Sequence, residues 1–251
     1  MLPVLFESSF FTLYAYPLFM GLSWGVGYWL ADYFFHKYSN EKVNLVKLFI
    51  GLFASSWVGA KLFFLFFSSE IEVQKFLYAD AFWLGGGFVF YGGLILGLIY
   101  FLFYSLKFKK FPIKESHLLL PSLIFGHAIG RVGCFLTGCC FGSQCSYPWS
   151  VHMHGGEVHP VQLYEATGLV IIGVIIIKKI HKKEIWSKIL SWYLFLYSLL
   201  RFIVEYFRGD LVRGIHYFQL SSSQLLSLGL LIISLSIFAY HRVNISKQMR
   251  Q

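Results

Sequence analysis

Arg131 and Arg201 each lie inside a long apolar stretch of the sequence and have polar neighbours at helical spacing. A charged side chain near the centre of a bilayer costs about 2.5–3.5 kcal/mol on insertion scales, so such residues are usually paired or face a wet cavity. A guanidinium group presents a planar fork of donors that can hold a phosphate with two hydrogen bonds. The two arginines therefore predict a site for an anionic, phosphate-bearing ligand.

The stretch around Arg201 places four polar residues on one helix face. Tyr197, Arg201, Glu205 and Arg208 follow one another at i, i+4, i+8 and i+11, which brings them to the same side of a helix. We expect Glu205 to neutralise and orient Arg201 or Arg208. Two arginines for one glutamate leave a spare positive charge that would favour an anion, whereas a self-satisfied polar stripe is the structural alternative.

The stretch around Arg131 combines glycines with a histidine. Gly126, Gly130 and Gly133 recur on one face, which permits close approach of another helix. They would also allow the helix to break around a cavity. His127 precedes Arg131 by one helical turn and is our first candidate for a general base, although a lone histidine in a membrane helix is more often a packing residue.

A third polar segment begins at His159 and Pro160, where a proline fits the start of a helix. Gln162 and Glu165 follow at i, i+3 spacing. We expect both side chains to face the same cavity as the two arginines.

The elements that position these residues are membrane helices. Hydrophobic residues make up 57% of the 251 positions and charged residues 13%, whereas soluble domains carry about 25% charged residues. The net charge of +9 comes from basic residues between apolar runs, so a bilayer and not nucleic acid is the expected partner. About 20 apolar residues cross a bilayer, which predicts an all-α polytopic membrane protein that forms one domain over residues 1–251. Its seven predicted transmembrane helices are 10–32, 43–67, 81–105, 117–140, 160–177, 188–207 and 221–240.

The distribution of lysine and arginine predicts the orientation. Segments 36–42, 106–116, 178–188 and 242–250 contain 14 of these residues, and the segments at the opposite ends of the helices contain three. The positive-inside rule then places the C-terminus in the cytoplasm and the N-terminus outside. Lys47 and Lys61 lie within predicted spans, and we interpret them as snorkelling side chains.

Two further clusters allow other functions. Cys134, Cys139, Cys140 and Cys145 would fit a membrane thiol redox protein, although no C-x-x-C motif is present and buried cysteines are usually packing residues. A zinc site is conceivable in the outer loop, although a solvated polar loop explains the same residues: His152, His154, Glu157 and His159. In a lipid-binding or transport protein, the same arginines would hold a lipid phosphate without catalysing a reaction.

Several segments together resemble the phosphatidylglycerol–prolipoprotein diacylglyceryl transferases of bacteria. The resemblance extends over nearly the whole chain in order and is specific only in combination. It rests on segments 58–61, 86–94, 130–133 with Gly142, 159–165, 201–208 with Asp210, and 223–227.

The resemblance implies an inner-membrane enzyme of lipoprotein biosynthesis with its active site facing the outer half of the bilayer. The enzyme would move a diacylglyceryl group from phosphatidylglycerol to the lipobox cysteine of a prolipoprotein, release glycerol phosphate and need no cofactor or metal. The expected catalytic residues are His127, Arg131, Arg201, Glu205 and Tyr91. The expected substrate-binding residues are Arg131, Arg201, Tyr197, Tyr16, Gly92, Gly93, Gly133, Gly142, His159, Gln162, Glu165 and Arg208.

The chain departs from the best-known members at three positions. It has Tyr91 where they have a histidine, Cys134 where they have an asparagine, and His117 where they have an aspartate. The family's histidine is a favoured base, so its replacement leaves His127 as first candidate, with Tyr91 as hydrogen-bond partner and His159 as reserve. A non-catalytic or altered-specificity lipid-binding or transport paralogue is the alternative.

Overall fold

The computed structural model describes residues 3–8, 12–67, 89–209 and 220–248. Within these ranges the chain forms seven α-helices and two short β-hairpins, so the predicted all-helical class is confirmed. The helices are α1 (Ala15–Tyr38), α2 (Leu45–Phe67), α3 (Phe90–Leu102), α4 (Leu120–Thr137), α5 (Val161–His181), α6 (Trp186–Tyr206) and α7 (Ser222–Gln248). The hairpins pair β1 (Val4–Glu7) with β2 (Thr12–Tyr14), and β3 (Val151–Met153) with β4 (Gly156–Val158).

Five of these helices are long and apolar enough to cross a membrane, judged over the described residues alone: α2, α4 with the 3₁₀ turn before it, α5, α6 and α7. The segment Gly92–Lys107 is a shorter apolar helix, and the predicted span 81–105 that overlaps it begins outside the described residues. The predicted start of the first helix at residue 10 is wrong, because Thr12–Tyr14 pairs as a strand and α1 begins only at Ala15.

The chain divides into two compact units, one formed by Met1–Leu30 with Ser116–Gln251 and the other by Ala31–Glu115. In the first unit α5 packs against α4 and α6, and α6 packs against α7. Small residues make these contacts close, as membrane helices require. Gly173 of α5 lies under the Phe125 ring of α4, and Ser234 of α7 donates a 2.9 Å hydrogen bond to the Ser191 carbonyl of α6.

The glycines of α4 bring that helix against the first part of α1. A Cβ at Gly133 would lie 2.8 Å from the Cβ of Phe19, and one at Gly126 would lie 3.2 Å from the Ser23 carbonyl oxygen. The close approach that we predicted from these glycines is therefore confirmed. The predicted helix break is wrong, because α4 is continuous to Thr137 and ends at Gly138 with φ 75°.

The segment between α4 and α5 folds over the end of α6. Gly142 pairs with Arg208 in an antiparallel bridge, and the amide of Ser143 donates to the Phe207 carbonyl at 2.8 Å. A side chain at Gly142 would collide with the backbone of His159 and Phe207. This glycine therefore joins the end of α6 to the start of α5.

In the second unit, glycines hold α2 and α3 together. A Cβ at Gly59 would collide with the Gly92 carbonyl and lie 2.8 Å from the Leu96 Cβ, and a Cβ at Gly93 would lie 3.0 Å from the Ser56 carbonyl oxygen. Lys61 of α2 is only 4% exposed. Its interpretation as a snorkelling side chain is therefore wrong, since snorkelling keeps the ammonium group in water.

We predict that Gly59→Ala destabilises the protein by about 1–3 kcal/mol, because the added methyl group forces α2 and α3 apart. Gly21→Ala is the matched control, since a Cβ there meets nothing within 4 Å and alanine is the better helix former. Thermal unfolding in detergent measures both effects. Equal melting temperatures for the two variants would contradict the described α2–α3 contact.

Candidate active site

Glu165 is the centre of a buried charge network in the first unit. Its side chain lies in the first part of α5 and is 2% exposed. One carboxylate oxygen, Oε2, lies 3.0 Å from Arg131 Nε and 3.3 Å from Arg201 Nη1. The other, Oε1, lies 3.5 Å from His127 Nε2. A single carboxylate thus connects α4, α5 and α6.

Arg201 uses both terminal nitrogens of its guanidinium group on protein partners. Nη1 meets Glu165, while Nη2 lies 2.9 Å from Glu205 Oε2 and donates a 2.9 Å hydrogen bond to Ser223 Oγ. The predicted pairing of Glu205 with Arg201 is confirmed. Since its side chain is 12% exposed, Arg201 forms a fixed junction between α5, α6 and α7.

The start of α7 supports this junction. Ser221 Oγ donates to Glu205 Oε1 at 2.8 Å and accepts the amide of Gln224 at 3.2 Å. Gln224 Oε1 accepts the Ser221 amide at 3.0 Å. This reciprocal pattern is a capping box, for which a serine followed three residues later by glutamine is the sequence signature. Ser221, Ser223 and Gln224 are not among the site residues predicted from the sequence, although that signature marks two of them.

The buried charges of the network balance. Arg131 and Arg201 carry two positive charges, and Glu165 and Glu205 carry two negative charges. Arg201 is therefore not the source of the spare positive charge that we expected on α6, because it has a second glutamate, Glu165, beside it. The physical reason is that the carboxylate that balances the arginine charges, Glu165, comes from α5. The spacing of residues along α4 or α6 contains no information about a contact with another helix.

Arg131 remains open to a ligand despite its ion pair. It meets Glu165 through Nε, and within the described part of the chain its two terminal amino groups have no protein partner. The side chain is 18% exposed. A guanidinium fixed at Nε and open at both Nη atoms is suited to bidentate binding of a phosphate.

His127 lies beside this fork. Its side chain is 24% exposed, and its ring packs edge-on against Tyr197 with centroids 5.8 Å apart. His127 Nε2 faces Glu165 Oε1 at 3.5 Å, an ion-pair contact and not a hydrogen bond, since that oxygen has no hydrogen-bond partner among the described residues. In the tautomer with its proton on Nε2, Nδ1 is the acceptor nitrogen. A partly exposed histidine beside a buried carboxylate is an arrangement that general bases use.

A second group of predicted residues lies around the start of α5. Gln162 is 1% exposed and donates from Nε2 to the Cys139 carbonyl at 2.7 Å. Its Oε1 has no hydrogen-bond partner among the described residues. His159 Nδ1 lies 3.2 Å from the Tyr164 hydroxyl group, which also accepts Trp149 Nε1–H at 2.8 Å.

The structure places the remaining predicted residues in different surroundings. Tyr16 lies over Gly133, with its Cδ2 3.9 Å from the position of an added Cβ. Gly92 and Gly93 pack α2 against α3, and the side chain of Tyr91 lies outside the described residues. Arg208 lies beyond the end of α6 at Tyr206, so its predicted place on the α6 face is wrong.

The histidines of the outer loop have other partners. His152 pairs with Glu157 at 3.2 Å, and His154 Nε2 lies 2.8 Å from the Gly138 carbonyl oxygen. Among the described residues, the one metal-ligand group with three or more members is formed by Cys134, Cys139 and Cys140. The histidine zinc site is therefore not supported.

Apolar helices around a buried, charge-balanced site define a polytopic membrane protein with a polar site between its helices. The chain belongs to the prolipoprotein diacylglyceryl transferase family, whose profile matches residues 3–240.

Individual relatives agree with this assignment. The chain is 30% identical over 250 residues to a phosphatidylglycerol–prolipoprotein diacylglyceryl transferase of Clostridium tetani, covering 96% of this chain and 98% of the relative. It is 30% identical over 264 residues to the same enzyme of Glaesserella parasuis, covering 97% and 95%. It is 28% identical over 249 residues to transferase 2 of Clostridium perfringens, covering 94% of each.

We predict that Glu165→Gln destabilises the protein by about 3–5 kcal/mol, because removing one partner leaves buried arginines uncompensated. Glu157→Gln is the matched control, since Glu157 is 51% exposed and exposed pairs contribute about 0–1 kcal/mol. Thermal unfolding in detergent gives the comparison. If Glu165→Gln has the same melting temperature as the wild type, the shared carboxylate does not hold the three helices together.

Proposed function

We propose that the protein transfers the diacylglyceryl group of phosphatidylglycerol to the cysteine thiol of a prolipoprotein and releases glycerol phosphate. The observation that carries this proposal is the Arg131 fork, which Glu165 fixes at Nε and leaves open at both terminal nitrogens. It lies in a chain whose family and relatives are named for this reaction.

The reaction forms a carbon–sulfur bond and breaks the bond between the glycerol carbon and the phosphate oxygen. Negative charge develops on the leaving phosphate, so preorganised cations in a dry site lower the barrier. Arg131 binds the phosphate in a bidentate manner. Arg201 positions Arg131 indirectly, because both guanidinium groups share the Glu165 oxygen.

The thiol must lose its proton because the thiolate is the nucleophile. His127 is the proposed acceptor of that proton through Nδ1, with Nε2 facing Glu165 Oε1 at 3.5 Å. It lies one helical turn from Arg131, so a phosphate bound at Arg131 brings the reacting carbon near the imidazole ring. Tyr197 packs against the ring and fixes its orientation.

The proposed setting is a bacterial inner membrane, with the N-terminus outside and the C-terminus in the cytoplasm. The excess of basic residues at one end of the helices supports this orientation. Segment 138–160 then lies on the outer side, where the lipobox cysteine would reach the site. Tyr16, Gly133, Gly142, His159, Gln162 and Arg208 lie in or near that end of the first unit, and we propose that they contact substrate.

The direct test is to incubate purified protein with phosphatidylglycerol and a lipobox peptide and to measure the peptide mass. We expect the diacylglyceryl thioether with a cysteine peptide and no product with its serine counterpart. Phosphatidylglycerol binding without any thioether would contradict the transferase proposal and favour a lipid-binding or transport protein.

We predict that Arg131→Lys and Arg201→Lys each lower kcat/KM by about 10²–10³-fold, since a point charge does not replace a bidentate fork. The variants differ in stability. Arg201→Lys also lowers the melting temperature, because Arg201 has three protein partners, whereas Arg131→Lys keeps a cation beside Glu165. Near-normal transfer by Arg131→Lys would contradict phosphate binding at this residue.

We predict that His127→Ala lowers kcat by about 10²–10⁴-fold, the usual contribution of a general base. Tyr91→Phe lowers kcat by a smaller factor. Tyr91→His keeps transfer activity, because it restores the commoner family residue. Transfer rates of folded variants across pH decide the point. Wild-type activity of His127→Ala would make His127 a packing residue and move the search for the base to Tyr91 or His159.

A further inference from the structure

Three thiols meet at the end of α4, next to the proposed active site. The Sγ atoms of Cys134, Cys139 and Cys140 all lie within 4.8 Å of one another, and all three cysteines are free thiols. Sulfurs on a tetrahedral zinc ion with Zn–S bonds of about 2.3 Å lie about 3.8 Å apart, so the described spacing exceeds the metal-bound spacing by at most about 1 Å.

The backbone is folded so as to bring the three thiols together. The amide of Cys139 donates to the Cys134 carbonyl at 3.2 Å, and that of Gly138 donates to the Phe135 carbonyl at 3.1 Å. This is a Schellman motif, which turns the chain back over the last helical turn. Cys140 has a φ of 59°, a left-handed conformation that is costly for a residue other than glycine and is concentrated at functional sites.

Neighbouring side chains fix the position of the middle cysteine. Gln162 Nε2 donates to the Cys139 carbonyl at 2.7 Å, and Thr137 Oγ1 lies 3.6 Å from Cys139 Sγ. Such partners around the ligands orient a metal site. Cys139 is nevertheless exposed, so the group has an open side. Structural zinc sites are closed by four protein ligands, whereas catalytic sites keep three and leave one position for water or substrate.

We propose that the thiolates of Cys134, Cys139 and Cys140 bind one Zn²⁺ ion, and that the cysteine thiol of the prolipoprotein takes its fourth coordination position. This proposal rests on the proposed transferase function. Cys134 follows Arg131 by three residues on α4, so the ion and the phosphate site lie on one face of the helix. Three thiolates and Zn²⁺ together carry one negative charge, which Arg131 nearby stabilises.

The chemistry matches the reaction at this site. A thiol that coordinates zinc is deprotonated, so the ion delivers a thiolate at neutral pH and His127 takes up the released proton. The thiolate attacks the glycerol carbon, the new carbon–sulfur bond replaces the carbon–oxygen bond, and the phosphate leaves with the bonding electron pair. Zinc keeps its oxidation state, so no oxidant or reductant is needed.

The metal arm of the test uses the purified full-length protein, reduced and stripped with a chelator. We expect one equivalent of Zn²⁺ per chain to rebind, and Co²⁺ in its place to give a thiolate-to-cobalt charge-transfer band. Cys139→Ser and the triple serine variant should lose the band, and Cys145→Ser, outside the thiol group, should keep it. Failure of the reduced protein to bind either metal, or equal metal binding by the triple variant, overturns the proposal.

The substrate arm uses the cobalt-loaded protein. A cysteine lipobox peptide should shift the charge-transfer band, and its serine counterpart should not; a band that neither peptide shifts overturns the fourth-ligand role. Chelation should lower transfer by about 10²–10⁴-fold, as loss of thiol activation implies, and Zn²⁺ should restore it. Full transfer by the metal-free protein overturns the zinc proposal and leaves the transferase function standing. A band that the cysteine peptide shifts, without transfer to any peptide, overturns the transferase function and leaves the zinc proposal standing.

Discussion

The site depends on one carboxylate. Glu165 contacts Arg131 on α4, Arg201 on α6 and His127 on α4, and its side chain is almost completely buried. In an apolar environment an unpaired charge is very unfavourable, so each arginine needs a nearby anion. Glu165 meets this need for both through a single oxygen, and it thereby fixes the separation of the two guanidinium groups.

This arrangement gives the two arginines different tasks. Arg201 is surrounded by Glu165, Glu205 and Ser223 and has no terminal nitrogen left for a ligand within the described structure. Arg131 meets Glu165 through Nε, and its two terminal nitrogens have no hydrogen-bond partner among the described residues. Arg201 is therefore a positioning residue, and Arg131 is the residue that binds phosphate. The network is neutral without substrate, so a bound phosphate is held by directed hydrogen bonds at Arg131 and not by excess charge.

The sequence predicted those features that are encoded by spacing along one helix. The Arg201–Glu205 pair at i, i+4 and the glycine face of α4 both follow from helical periodicity. The Glu165–Arg201 contact joins residues 36 positions apart, and local spacing contains no information about it. The expectation that Glu165 faces the same cavity as the two arginines, which rested on the polar segment at the start of α5, is confirmed.

Errors at the ends of helices have local causes. Apolarity alone does not separate the strand Thr12–Tyr14 from α1, because both are hydrophobic. The glycines of α4 were predicted to break the helix, but each faces another element that fills the space of its missing side chain. The sequence predicted a cluster of four cysteines but not which three of them meet, because that geometry arises from the turn after Thr137, where Gly138 and Cys140 both adopt positive φ.

The central claim is that Glu165 holds Arg131 for phosphate while Arg201 stabilises Glu165. The most direct measurement is an experimental structure with phosphatidylglycerol bound. We expect phosphate oxygens within hydrogen-bond distance of both terminal nitrogens of Arg131, with Glu165 still in contact with both arginines. A phosphate bound away from Arg131, or a Glu165 carboxylate turned away from either arginine, would contradict this account.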